Sequence, residues 1–240
     1  MITTIKGEVK RHGRNKTMWL LLLVMICVHI LVAIAQNSIF AGEQIPGIVK
    51  PYLRTFVWFS SMSGIFSILY GTVIGYRFLS TEHKEGTWAL LFLTIKDKRK
   101  VIFSKYILYV ACLFLVKIIG LFVCFLIMAA YDSLNPFHLE IIPFLLVYLL
   151  GDFFLEACVF VLLLKISHGA LAVGLSFLFI LISPLFRNFA VWGKYIPLLF
   201  PLWFYNLGLQ EPVWLLLLLC GWNVITGIVF IALMQKKFHL

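Results

Sequence analysis

Six long apolar runs, separated by short polar stretches, leave this chain few ways to fold. They cover approximately Thr17 to Gln36, Phe56 to Leu79, Val101 to Ala130, Ile141 to Leu164, Ala170 to Phe186 and Val213 to Met234. A helix needs about 20 apolar residues to cross roughly 30 Å of hydrocarbon, and each run is near that length. The sequence therefore predicts an all-α, polytopic membrane protein with six transmembrane helices, in which residues 1–240 form a single domain. The balance of the chain agrees, with 62% hydrophobic and 12% charged residues. No internal repeat or low-complexity tract interrupts it.

The first run follows five basic residues, Lys6, Lys10, Arg11, Arg14 and Lys16, as a secretory signal would. It is too long for a signal core and ends in Gln36-Asn37-Ser38 rather than at a small-x-small cleavage site, so it reads as a retained helix. The cysteines (Cys27, Cys112, Cys124, Cys158 and Cys220) all fall inside predicted spans, and no disulfide framework is implied.

Positively charged loops resist translocation, so the distribution of Lys and Arg sets orientation. One side collects the N-terminal basic residues with Arg77, Lys84, Lys96, Lys98, Arg99, Lys100, Lys105, Lys165, Lys236 and Lys237. The other holds Lys50, Arg54, Arg187 and Lys194. Both termini and the loop after the second span are predicted to be cytoplasmic. The net charge of +10 is accounted for by this bias and by attraction to anionic headgroups, without calling for nucleic acid.

No phosphate-binding GxxxxGK[ST] loop, HExxH pair or Cys/His cluster with metal spacing occurs, so no catalytic residue, metal site or cofactor is assigned to this chain. Between the last two spans lies "RNFAVWGKYIPLLFPLWFYNLGLQEP", with three prolines and seven aromatic residues. Either an interfacial surface segment or a re-entrant hairpin fits it, and Pro197 and Pro201 argue against one straight helix.

The longest charged stretch is "STEHKEGTWALLFLTIKDKRKVIFSKY", Ser80 to Tyr106. Gly86 permits a tight turn, and Thr87 can cap a short helix whose Trp88, Leu91 and Phe92 form one apolar side. Such a helix could rest on lipid with the Lys/Arg run as an anchor, or dock a cytoplasmic partner.

This stretch resembles the loop after the second span in permease subunits of ABC-2 type transporters. Glu85-Gly86-Thr87 matches the family's glutamate-glycine-threonine core, Leu90-Leu91 its leucine pair, Lys98 its usual arginine and Lys105 its closing lysine. Ile95, Ala89 and Ser104 depart from the usual proline, glutamate and glycine. The resemblance implies a short cytoplasmic coupling helix and an ATPase-coupling loop that includes Glu82, Glu85, Gly86, Thr87, Trp88, Leu91, Lys98 and Lys105. It also implies a separate cytoplasmic ABC ATPase subunit carrying the ATP and Mg, and a second permease copy or a paralogous permease. The short chain resembles the compact lantibiotic and antimicrobial-peptide export or immunity permeases of bacteria, which implies a peptide substrate and a plasma-membrane location. A non-conducting membrane anchor or sensor that recruits an ATPase or regulator is the alternative.

Ionisable residues inside a bilayer are costly and need partners or water. Asp152 and Glu156 share a face of the fourth span, and Lys117 lies near mid-depth of the antiparallel third, so the three can meet. A buried ion pair that fixes packing, or a polar substrate or proton path, are the two readings. His29 reads as an interhelical hydrogen bonder or a switch. Ser60, Ser63, Gly64, Ser67, Gly71 and Gly75 line the second span, where they would admit a close helix neighbour, either within the chain or in a second permease.

Overall fold

The computed structural model describes residues 6–7, 9–10, 16–40, 51–85, 98–131, 142–166, 168–186, 193–201 and 211–237. Every apolar run is helical. The helices are α1 (Lys16–Phe40), α2 (Pro51–Glu85), α3 (Lys98–Tyr131), α4 (Ile142–Leu150), α5 (Phe153–Lys165), α6 (Gly169–Phe186) and α7 (Val213–Lys237), and no strand occurs among the described residues.

Three stretches are long and apolar enough to cross a membrane: Lys100–Leu126 in α3, Ile142–Lys165 across α4 and α5, and Val213–Met234 in α7. Trp19–Leu31 and Gly169–Leu178 are shorter apolar helices. Large apolar side chains also cover the outside of the bundle, with Leu20 on α1, Phe122 on α3 and Trp214 on α7 each more than 60% exposed. Such a surface belongs in lipid, because water would leave it an aggregation site. The chain is an all-helical membrane protein.

α2 is the centre of the bundle, packing against α1, α3, α5 and α6, while α7 covers α4 and α5. With 35 residues α2 is about 52 Å long at 1.5 Å per residue, well over the hydrocarbon thickness. Proline at its first position suits a helix start, where no amide hydrogen is needed. The second apolar run is therefore extended at both ends, and Ser80 to Glu85, the beginning of the charged stretch, are helical.

The fourth run is not one helix. It is interrupted at Gly151-Asp152, where Asp152 takes φ −97° and ψ 11° before α5 begins. Glycine is the weakest ordinary helix former, and an added Cβ at Gly151 would lie 2.5 Å from the Val147 carbonyl oxygen. Phe200 packs on the same spot, its ring 3.1 Å from that position.

Two apolar clusters fill the interior. One contains Phe56, Phe59, Leu121, Phe144, Val147, Tyr148, Phe200 and Leu216. The other contains Ile74, Phe78, Tyr106, Tyr109, Phe160, Leu163 and Ile231. Along α2, α3, α4–α5 and α7 the change from one cluster to the other falls at a buried polar residue: Ser67, Lys117, Asp152 with Glu156, and Asn223. A polar layer thus crosses the bundle.

Gly71 and Gly75 of α2 serve packing within the chain. A Cβ at Gly71 would meet the Tyr109 hydroxyl at 2.7 Å, and one at Gly75 would meet Leu163 at 2.6 Å. α6 is fastened to α2 by a hydrogen bond between Thr72 and Ser176, each hydroxyl also touching its own helix, Thr72 at the Ile68 carbonyl and Ser176 at the Ala172 carbonyl.

Candidate functional site

The polar layer brings together the three intramembrane ions that the sequence singles out. Lys117 Nζ donates to Asp152 Oδ1, to Glu156 Oε1 at 3.0 Å and to the Leu149 carbonyl at 3.5 Å. The carboxylates are four residues apart on one helical face, and α3 delivers the ammonium between them. All three residues are buried.

The helix break contributes directly. Leu149 is in the last turn of α4, where carbonyls lose their helical partners, and Lys117 uses one of them. On the other side of the break, Phe154 N–H donates to Asn223 Oδ1 at 3.2 Å, while Asn223 Nδ2 donates to the Pro197 carbonyl at 3.1 Å. Asn223 therefore joins α7, the start of α5 and the 193–201 segment. α7 can come this close because Gly227 lies against Phe153 and the backbone of Phe154, at 2.7 and 3.3 Å from an added Cβ.

Ser67 Oγ completes the shell, donating to Asp152 Oδ2 at 2.8 Å. Asn223 and Ser67 are the polar residues that sequence reasoning missed at this site. Asn223 was visible as an amide inside an apolar run, a common interhelical fastener in membranes, whereas Ser67 was noted only for its size. His29 Nδ1 donates to the Met25 carbonyl at 3.0 Å, a bond within its own helix. Its ring lies 2.5 Å from a Cβ position at Gly120 and 5.1 Å from the Tyr70 ring.

The described part of the stretch before the last span reaches inward. Pro197 meets Asn223, which lies about 15 Å along α7 from Val213 at 1.5 Å per residue. Phe200 is 1% exposed. Residues 193–201 thus pack on α7 through Pro197, with Phe200 buried and Tyr195 and Ile196 exposed. Lys194 and Glu211 form a 2.7 Å ion pair.

The second set of candidate residues divides in two. Glu82, in the last turn of α2, and Lys105, in the second turn of α3, form an ion pair at 2.8 Å, both fully buried. Lys105 Nζ also reaches the Phe78 carbonyl at 3.5 Å. One residue on from Glu82, His83 Nε2 is hydrogen-bonded to the Leu163 carbonyl at 3.1 Å, tying the end of α2 to α5. Glu85 closes α2 and Lys98 opens α3, but their side chains, together with Gly86, Thr87, Trp88 and Leu91 and the predicted coupling helix, lie outside the described residues. The sequence puts Glu82 in the loop after the second span and Lys105 at the start of the third span, both as part of the coupling stretch. The structure places them inside the bundle, where they hold together the two helix ends from which residues 86–97 depart.

No group of three or more His, Cys, Asp or Glu with metal-binding geometry occurs among the described residues. No family model matches the chain, and no curated protein matches it.

Proposed function

We propose that this chain is the membrane-spanning permease subunit of an ABC-2 type exporter, with six spans and both termini in the cytoplasm. A separate ATP-hydrolysing subunit drives it by binding the loop between α2 and α3. Two such permease halves form the path, and the cargo is an antimicrobial or other amphipathic peptide, in a bacterial plasma membrane. The observation that carries this reading is the Ser80 to Tyr106 stretch. Its Glu85-Gly86-Thr87 core follows directly from a helix long enough to protrude from the bilayer, and the far end of the stretch returns to the same place through the Glu82–Lys105 pair. A push on residues 86–97 would then act on α2 and α3 together. α2, touching four other helices, would spread it through the bundle.

The test is a pair of variants. Glu85→Arg reverses a charge facing the partner, and Gly86→Val disfavours the turn. Both should leave expression and detergent stability close to the parent, while ATPase co-purification and tolerance of the peptide by cells fall together. Normal recruitment with full tolerance in both variants would refute the docking role. Normal recruitment in a parent chain that confers no tolerance to any peptide would favour a membrane anchor or sensor.

A further inference from the structure

The polar layer holds two acids and one ammonium. With both carboxyls ionised, the cluster of Lys117, Asp152 and Glu156 would carry a net charge of −1 inside the hydrocarbon, at a cost of several kcal/mol for the uncompensated ion. Among the described residues the cation paired with both acids is Lys117, while Arg77 on α2 and Lys105 on α3 lie ten and twelve residues along their helices from Ser67 and Lys117. Among the described residues, groups whose charges or dipoles reach the cluster include His29 on α1, Ser67 on α2, Tyr106 and Tyr109 on α3, and Cys220 on α7. α6 packs on α2 and presents Ser176 to Thr72 instead. His29 itself faces the like charge of Lys117.

The two acids are not equivalent. Asp152 accepts from Lys117 with one oxygen and from Ser67 with the other, so both of its oxygens have a donor. Glu156, one turn into α5, accepts from Lys117 alone among the described residues. Its neighbourhood also contains two buried hydroxyls, Tyr106 and Tyr109, that have no hydrogen-bond partner among the described residues and sense its charge. The Tyr109 hydroxyl lies against Gly71, one helical turn from Ser67. A carboxylic acid both donates and accepts, so it suits a site shared with an ammonium and with hydroxyls or a water between them.

We propose that Glu156 is a proton-binding site, protonated at neutral pH, with Asp152 and Lys117 as the standing ion pair beside it. On uptake a proton passes from hydronium to a Glu156 carboxylate oxygen, forming the O–H bond and leaving water. On release a water takes the proton and becomes hydronium, or hydroxide takes it and becomes water, and the cluster becomes anionic at the α4–α5 break. Proton binding is then a charge switch where α3, α4, α5 and α7 meet. This inference does not rest on the transport reading.

Infrared spectroscopy of the purified full chain in lipid nanodiscs tests it. At pH 7 the parent should show a protonated-carboxyl stretching band that shifts in heavy water and disappears on alkalinisation. Glu156→Gln should remove the band, Glu82→Gln should leave it, and Lys117→Met, which leaves two acids and no ammonium, should about double it. Isotope labelling of glutamate carboxyls in the parent should move the band, and labelling of aspartate should not, so the assignment stands even if a variant fails to assemble. Absence of the band in the parent at pH 7 would overturn the proposal. So would a band that moves with aspartate labelling instead.

Discussion

Replacing Lys105 with methionine removes one half of a fully buried ion pair and leaves the Glu82 carboxylate behind. At 2.8 Å and an effective dielectric of about 20, the attraction between the two charges is roughly 6 kcal/mol. Most of that is spent on desolvating both ions, so the intact pair adds little to net stability, but a single removal leaves one burial cost uncompensated, at about 3–5 kcal/mol. For a chain of this size that corresponds to a fall in unfolding midpoint of roughly 6–20 °C. The double variant Glu82→Gln/Lys105→Met leaves no buried charge and should recover most of the loss. The assay is thermal unfolding of the four purified proteins in one detergent, read by tryptophan fluorescence and circular dichroism. Equal losses in the single and double variants would refute the pairing argument, as would a single variant as stable as the parent.

Other outcomes follow from the same geometry. Lys117→Ala strands Asp152 and Glu156 together and should lower the unfolding midpoint more than a triple variant in which the two acids are also replaced by their amides; equal midpoints would exclude charge pairing as the source of the loss. Asn223→Leu removes the acceptor of Phe154 N–H and the donor to Pro197, costing about 1–3 kcal/mol, and hydrogen exchange should quicken at Phe154 before it quickens elsewhere in α5. Gly227→Leu drives a side chain into the start of α5 and should cost about 1–3 kcal/mol, whereas Gly174→Leu, with open space around it, should cost little; similar losses at the two glycines would contradict the close approach of α7 to α5. For orientation, a reporter fused after Leu240 should be active only in the cytoplasm, and one inserted near Gly42 only outside.

How much of this could be read from the residues depends on which interactions are local. The described residues of the apolar runs are helical, the fourth in two pieces, because run length and composition are properties of one segment. The meeting of Lys117 with Asp152 and Glu156 was also legible, since a four-residue spacing fixes a common face and few charges were available to pair inside the bilayer. The break at Gly151-Asp152 was not, because a glycine within an apolar run is commonly carried by a continuous helix. Here Phe200 packed on the glycine and Asn223 at the freed amide of Phe154 favour two pieces, and both come from distant parts of the chain. That Glu82 is helical and pairs with Lys105 was not legible for a similar reason. Their pairing depends on how far α2 and α3 extend beyond their apolar cores, which composition alone does not report. The contact of Pro197 with Asn223 was not legible either, because it joins residues 26 apart whose chain path the prolines alone leave open.

The central claim is that this helix bundle is moved by an ATPase it does not contain. The most direct measurement is affinity purification of the full chain from its native membrane in mild detergent, followed by an ATP hydrolysis assay on the purified material. The account predicts a soluble subunit with a phosphate-binding loop in fixed ratio to the chain, with hydrolysis that is retained in parent preparations and lost with that subunit in Glu85→Arg. A chain that purifies reproducibly intact, without hydrolysis and without any nucleotide-binding partner, would contradict it.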